Sequence, residues 1–307
     1  MTVAEGPARP ARVAGPPRRA AWQRRERLVG LLAVMPAVLL VGGFMLYPVG
    51  YALWISLNRS DGVTFEWVGL QNYTDLLANP VLHQVFLTNL VMLISVPLVI
   101  ITSLICSVLL YERCWGWRLF RVLYFVPNVL STAVVGLIFR NVFGYSGPVN
   151  AVLTASGLPR IDFFSSAGTA IFVIILALVW SGFGYQNLIL LSGLSAINPE
   201  IFEAASIDGA GWWRRLFAVT LPNLRGPLAL VSILNVLYTF TSLFGFIFVM
   251  TAGGPGYDTT TLDYFIYSLA FSSGNMGEGA ALAVMVFVLI GGLTVLQLRM
   301  FKVAEES

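Results

Sequence analysis

Charge is scarce in this sequence, and three chemically versatile residues are scarcer still. Charged residues make up 11% of the 307, against 57% hydrophobic. A water-soluble domain carries about 25% charged residues, so a soluble globule is excluded: its surface could not be covered. Lysine occurs once, at Lys302, and Val303 follows it. A phosphate-cradling loop needs Lys before Ser or Thr, so the chain does not hydrolyse ATP by itself. Histidine occurs once, at His83, and reads as a solvated loop residue rather than a ligand or base. With no His-rich set, no Cys–His pairing and no paired carboxylates in an apolar run, nothing supports a membrane enzyme. The two cysteines, Cys106 and Cys114, make neither a disulfide framework nor a metal-ligand pattern. They fall near a reducing face and read as free thiols. No catalytic residue, cofactor or metal is expected.

The basic balance, a net charge of +3 and pI near 9.0, does not point to nucleic acid, because the arginines form no stripe. Seven sit at 9, 12, 18, 19, 24, 25 and 27, and the rest lie thinly between apolar runs. That distribution carries topology. Residues 1–27, rich in Ala, Pro, Gly and Arg without apolar period, read as a disordered cytoplasmic tail that anionic lipid would attract. The run that follows is too long for a signal-peptide core.

What the sequence has is lipid-compatible length, with a mean hydropathy of +0.81. A membrane span needs about 20 apolar residues. Six stretches are long enough or nearly so: about 28–57, 85–110, 122–139, 169–191, 227–250 and 279–300. Lipid offers no partner to loose backbone groups, so each is expected to be helical, with bends near Pro36, Pro48, Pro97 and Pro127. Loop charges orient the set. The tail, the loops at 111–121 and 192–226 and the C-terminus hold 15 of the 18 Lys and Arg; the other face holds Arg59, Arg140 and Arg160. Both termini are therefore expected inside. The central apolar stretches carry no Asp, Glu or Lys, which argues against a proton-coupled carrier and disfavours an anionic solute.

The loop at 192–226 is the most informative segment. Asn198 is a good N-cap, Pro199 suits a first helical turn, Glu200 favours the positive helix end and Gly209 can terminate the helix. A helix of two to three turns results, with a second starting near Trp212. Ala204 and Ala205 permit close approach to another surface, and Phe202 is available as an apolar knob.

The run Glu203-Ala204-Ala205, Asp208-Gly209-Ala210 and then Leu221-Pro222 resembles the EAA signature of ABC importer permeases. Gly69-Leu70-Gln71-Asn72-Tyr73, Gly253-Gly254-Pro255, Gly279-Ala280-Ala281-Leu282 and Tyr47-Pro48 resemble its maltose and glycerol-phosphate type, so the likeness spans nearly everything after residue 28. The resemblance implies an all-α membrane protein of MetI-like, type I importer permease fold, with six transmembrane helices, both termini inside and a cytoplasmic coupling helix, in a bacterial inner membrane. It implies partners: two cytoplasmic ATPase subunits, an external solute-binding protein, a second and different permease subunit, membrane lipid and a sugar-like solute, but no nucleic acid. It assigns ATPase coupling to Phe202, Glu203, Ala204, Ala205, Asp208, Gly209 and Pro222. One departure is Asn198, between Ile197 and Pro199 where the family often has Ile-Pro; it shifts the expected start of the coupling helix.

For the solute path, sugars call for hydroxyl, amide and aromatic groups. Asn235, Thr239 and Ser242 recur at i, i+4 and i+7 on one helical face. With Gly182 and Tyr185 they resemble the solute-lining positions of maltose-type permeases. Interhelical hydrogen bonding is the competing reading for all five, and packing is the favoured reading for Gln186 and Asn187. A stand-alone channel or secondary carrier is the alternative function.

Overall fold

A computed structural model describes residues 19–306, with side-chain surroundings for residues 29–301. Residues 1–18 of the expected tail lie outside the described residues; its remaining positions, from Arg19, belong to the first helix. The chain divides between Ala52 and Leu53 into two units.

The first unit contains α1, Arg19–Val41, one π-helical turn at Gly42–Leu46, and the start of α2, Tyr47–Ser56. Pro36 sits inside α1 without ending it. The irregularity falls instead at Gly42–Leu46, where the Tyr47 N–H reaches back to the Gly42 carbonyl. Pro48, which has no N–H to give, follows directly.

The second unit is helical apart from one hairpin, β1 (Asn58–Ser60) against β2 (Phe65–Trp67), with Asn58 opposite Trp67. Its helices are α3 (Gln71–Ala78), α4 (Pro80–Met92), α5 (Ser95–Tyr111), α6 (Trp117–Leu123), α7 (Val126–Val129), α8 (Thr132–Val142), α9 (Pro148–Ala155) and α10 (Ala167–Ala196). They continue as α11 (Pro199–Ile207), α12 (Trp212–Arg215), α13 (Leu221–Asn223), α14 (Arg225–Thr241), α15 (Phe244–Met250), α16 (Leu262–Tyr267) and α17 (Met276–Glu306). Several starts are written locally. Asn79 accepts from the Val81 N–H ahead of Pro80, Ser131 from Val134, and Ser166 from Thr169, each satisfying a helix-end donor.

Among the described residues, four segments are long and apolar enough to cross a membrane: Val29–Ser56, Pro80–Tyr111, Ala167–Ala196 and Met276–Phe301. Two bent pairs, Trp117–Val129 with Thr132–Val142 and Trp212–Asn223 with Arg225–Thr241, raise the number to six. Bends are expected near four prolines, and the structure shows where the breaks fall. The third span turns by 100° at Leu130–Ser131. Pro127 starts the short α7, and Leu130 is extended before the Ser131 cap. The fifth bends by 75° at Leu224, between α13 and α14, and α14 ends ahead of α15 at Ser242–Leu243, where Ser242 leaves the helix with φ −136°. The second span has a turn at Leu93–Ile94, four residues before Pro97, where the Leu93 carbonyl takes the Val96 N–H at 3.0 Å in place of the N–H that Pro97 lacks.

Three apolar clusters hold the second unit. One gathers Val135, Val173, Ala177, Phe246 and Ile247 where α8, α10 and α15 meet. A second joins Leu76, Val85, Phe240, Leu262, Phe265 and Leu282. The third, Val108, Leu194, Ile197, Leu216 and Leu224, lies under the 192–226 loop. Asn89, fully buried, ties three elements: its amide donates to the Thr239 carbonyl at 2.9 Å and its oxygen accepts from the Leu262 N–H at 2.6 Å.

The quoted motifs outside the loop do structural work. Asn72 donates to the carbonyls of Ser56 and Asn58 at 2.8 and 2.9 Å, and Tyr73 shares a hydrogen bond with Ser56. Gly279 lies so close to Ala270 that a Cβ would sit 2.7 Å from the Ala270 Cβ. Beyond Gly253-Gly254-Pro255, the buried Thr259 and Thr260 hydroxyls donate to the carbonyls of Gly254 and Gly253, folding that loop back on itself.

Candidate functional site

Two sites emerge within the second unit, one inside the helices and one on the 192–226 loop. The inner site is a cavity of about 300 Å³ whose wall comes from α5, the α7–α8 break, α10, α14 and α15. Helical spacing explains the α10 contribution. Gly182, Tyr185 and Gln186 stand at i, i+3 and i+4, on one face, and all three line the cavity. From α14 come Asn235, Tyr238 and Thr239; the α7–α8 break adds Asn128, Ser131 and Thr132, and α5 adds Ser95. Among these lining residues none is charged. The wall offers hydroxyls, carboxamides and the rings of Tyr185, Tyr238 and Phe246.

Of two glycines on α10, one lets the helices approach. A Cβ at Gly184 would collide with the Tyr124 carbonyl oxygen, whereas one at Gly182 would meet only the Val99 methyls at 3.6 Å. Ser103 and Ser107 of α5 bond the carbonyls of Phe183 and Asn187, each at 3.1 Å, fixing α5 against α10 beside the cavity. Several polar wall groups already bond within their own helices. Asn235 donates to the Val231 carbonyl, Thr239 to Asn235 and Ser181 to Ala177.

Four of the five residues suggested for a path thus share one cavity: Gly182, Tyr185, Asn235 and Thr239. Ser242 does not. It would have belonged to the same face had α14 continued, but the helix ends at Thr241 and the Ser242 hydroxyl lies against that of Thr241 at 3.3 Å. Gln186, read from sequence as packing, is on the wall; Asn187 is 2% exposed and off it. The i, i+3, i+4 relation to Gly182 was the available signal for Gln186. The residues of the α7–α8 break carried none, because a bent span has no single face.

On the loop, α11 is capped at both ends. Asn198 accepts from the Glu200 N–H at 3.1 Å. At the other end Gly209 has φ +72°, the Ala210 N–H reaches the Ala205 carbonyl and the Gly209 N–H the Ser206 carbonyl, the paired bonds of a Schellman stop. The structure corrects the role expected of Phe202. It does not project: it is half-buried, packs against the third cluster and meets the Tyr111 ring, at the last residue of α5, with centroids 5.7 Å apart and planes tilted by 44°. Trp212 adds a second tie, its indole N–H donating to Glu112 at 3.2 Å. The apolar side chains that do project are Ile207, 87% exposed, and Ile201, 40% exposed. Glu203, Ala204, Asp208, Gly209 and Pro222 are exposed, and Ala205 is half-buried.

Comparison with known proteins is consistent across sequence and fold. The family described as "Binding-protein-dependent transport system inner membrane component" matches residues 73–301. The chain is 34% identical over 288 residues to the sulfoquinovosyl glycerol transport system permease protein SmoG of Agrobacterium fabrum, covering 91% of this chain and 92% of that one. It is 32% identical over 288 residues to the trehalose/maltose transport system permease protein MalF of Thermococcus litoralis, covering 92% and 96%. A crystal structure of a bacterial ABC transporter involved in the import of the acidic polysaccharide alginate has a chain of the same fold. Its TM-score is 0.78 at 18% identity, covering 92% of this chain and 99% of that one.

Proposed function

The chain belongs to the family of binding-protein-dependent transport system inner membrane components, a multi-pass membrane subunit, and on that premise we propose that it carries sugar-like solutes inward by alternating access. Its six spans, two of them bent, leave both termini and the 192–226 loop in the cytoplasm, in keeping with the Lys and Arg distribution. ATP is hydrolysed by two partner subunits that seat on α11, a second and different permease completes the path, and an external binding protein delivers the solute. Coupling falls to Glu203, Ala204, Ala205, Asp208, Gly209 and Pro222 at the surface, with Phe202 as the anchor behind them. Gly182, Tyr185, Asn235 and Thr239 contact solute.

One observation carries this reading. Two helices that wall the cavity, α5 and α10, are also helices on which α11 rests. α5 bears Ser95 and Val99 on the cavity and, about 25 Å further along at 1.5 Å per residue, ends on Tyr111 against Phe202. α10 bears Gly182, Tyr185 and Gln186 and ends in the cluster beneath α11. A push on α11 therefore reaches the cavity wall through continuous packed helix rather than through flexible loop.

The test is uptake by the assembled transporter carrying Glu203→Lys or Gly209→Pro. Both are expected to abolish uptake while the chain still inserts in the membrane; normal uptake in both overturns the coupling role. Solute flux through liposomes holding the purified chain alone would instead identify a stand-alone channel or carrier.

A further inference from the structure

Gln186 brings to the cavity wall a buried amide oxygen without a hydrogen bond. Its side chain is 7% exposed, it lines the cavity, and its Oε1 has no partner among the described residues. Its neighbours on the wall differ: the Asn235 amide and the hydroxyls of Thr239 and Ser181 each donate to a carbonyl one turn back. A buried amide oxygen without a donor is costly, because water that would have satisfied it has been removed. The last torsion of a glutamine is broad and roughly two-fold, so a half turn exchanges its oxygen and nitrogen. One side chain can then accept from, or donate to, a group placed in the cavity.

The partner chemistry is narrowed by charge. An anion drawn from water into a cavity of this kind needs a cation or several aimed donors to offset its lost hydration, and no Lys, Arg or His lies among the lining residues. Hydroxyls both donate and accept, and the C–H patches of a sugar-like ring suit the aromatic faces of Tyr185 and Tyr238. We propose that Gln186 hydrogen-bonds a solute hydroxyl directly and that this cavity selects an uncharged, polyhydroxylated solute, in contrast to the acidic polysaccharide named for the alginate importer of the same fold. This rests on the cavity being part of the transport path.

The experiment is a panel of radiolabelled probes offered to cells holding the full transporter: trehalose, maltose and glycerol as uncharged solutes, glycerol 3-phosphate and glucuronate as anions. Cells lacking the chain set the background. The chain should carry uncharged probes and leave both anions at background. Gln186→Met, close in length and volume, should raise KM for each carried probe at least tenfold. The maximal rate per membrane-inserted chain should stay within twofold, a split that mere loss of folded protein would not give. Gln186→Asn, which keeps the carboxamide, should recover part of the affinity. Carriage of either anion above background overturns the uncharged-solute assignment. A KM within twofold of wild type in Gln186→Met overturns direct contact. The parent reading fails separately: normal uptake of the same probes with both Glu203→Lys and Gly209→Pro removes the coupled importer, whatever the Gln186 variants do.

Discussion

The carboxylate of Asp263 accepts a hydrogen bond from the backbone N–H of Phe244 at 2.6 Å, across 19 residues of sequence. Phe244 is the first residue of α15, and its N–H is one of the donors that a helix start leaves without an internal partner. The other oxygen of the same carboxylate accepts from the Thr261 hydroxyl and the Tyr264 N–H. One side chain thus holds two helix starts and fixes the break in the fifth span beside Tyr238 and Thr239.

Asp263→Ala should therefore loosen the break. Loss of a capping acceptor costs about 1 kcal/mol per helix start, and two starts are involved. Thermal unfolding in detergent is expected to fall by the sum, roughly 2 kcal/mol, with uptake lowered as well. An unchanged unfolding temperature would show that the two helix starts find other acceptors.

Gly184→Ala should destabilise the chain where Gly182→Ala does not. The added Cβ at 184 meets the Tyr124 carbonyl, a backbone atom that cannot step aside. Overpacking of this kind costs about 1–3 kcal/mol. At 182 the new methyl meets the Val99 side chain at ordinary contact distance and intrudes on the cavity, so a loss of transport with intact folding is expected. Unfolding curves and uptake measured on the same preparations separate the two.

Ile207 and Phe202 should part ways on substitution. Ile207 is 87% exposed, so Ile207→Asp should shift stability by no more than about 0.5 kcal/mol yet abolish solute-stimulated ATP hydrolysis by the assembled transporter. Phe202→Ala removes the ring that packs, tilted, against Tyr111. It is expected to lower stability by about 2 kcal/mol, less than full burial of a Phe would give. Equal effects of the two on stability would contradict the inward orientation of Phe202.

Asp61 gives a pH signature in the β1–β2 hairpin. Its Oδ1 accepts from the backbone N–H of Thr64, the backbone N–H of Val63 and the Thr64 hydroxyl, which together hold its pKa down, from 3.8 to about 2. A depressed carboxylate stabilises the folded turn above its ordinary pKa, and that contribution fades as pH falls from 3.8 toward 2. A carboxyl-carbon NMR titration in detergent should place Asp61 well below the other loop carboxylates. Asp61→Asn should remove the low-pH transition at the Val63 and Thr64 amides.

Much of this was legible in the residues themselves. Asn198, Pro199 and Gly209 announce α11 to within a residue, because capping is local chemistry that needs no tertiary partner. Glycine and proline placement was less informative inside the spans. Pro127 marked a bend but not a 100° turn, since the size of a bend depends on what packs into it. Ser242 illustrates the limit of periodicity. Spacing put it on the face of Asn235 and Thr239, but the Asp263–Phe244 bond ends that face one residue earlier, through a contact 19 residues distant. Gln186 shows the complementary limit: the face carrying Gly182 includes it, but only the third dimension shows that this face fronts a cavity.

The sequence by itself determined the solvent, the helical class, the motif loop and its caps, because each depends on composition or on groups within a few positions of one another. Only the tertiary structure decided which way Phe202 and Ile207 point, which span is broken where, and which polar residues share a cavity. Those depend on apolar surfaces from distant segments competing for the same space, and on helix-start donors claimed from afar, the Phe244 N–H by Asp263 and the Leu262 N–H by Asn89, which no local pattern singles out.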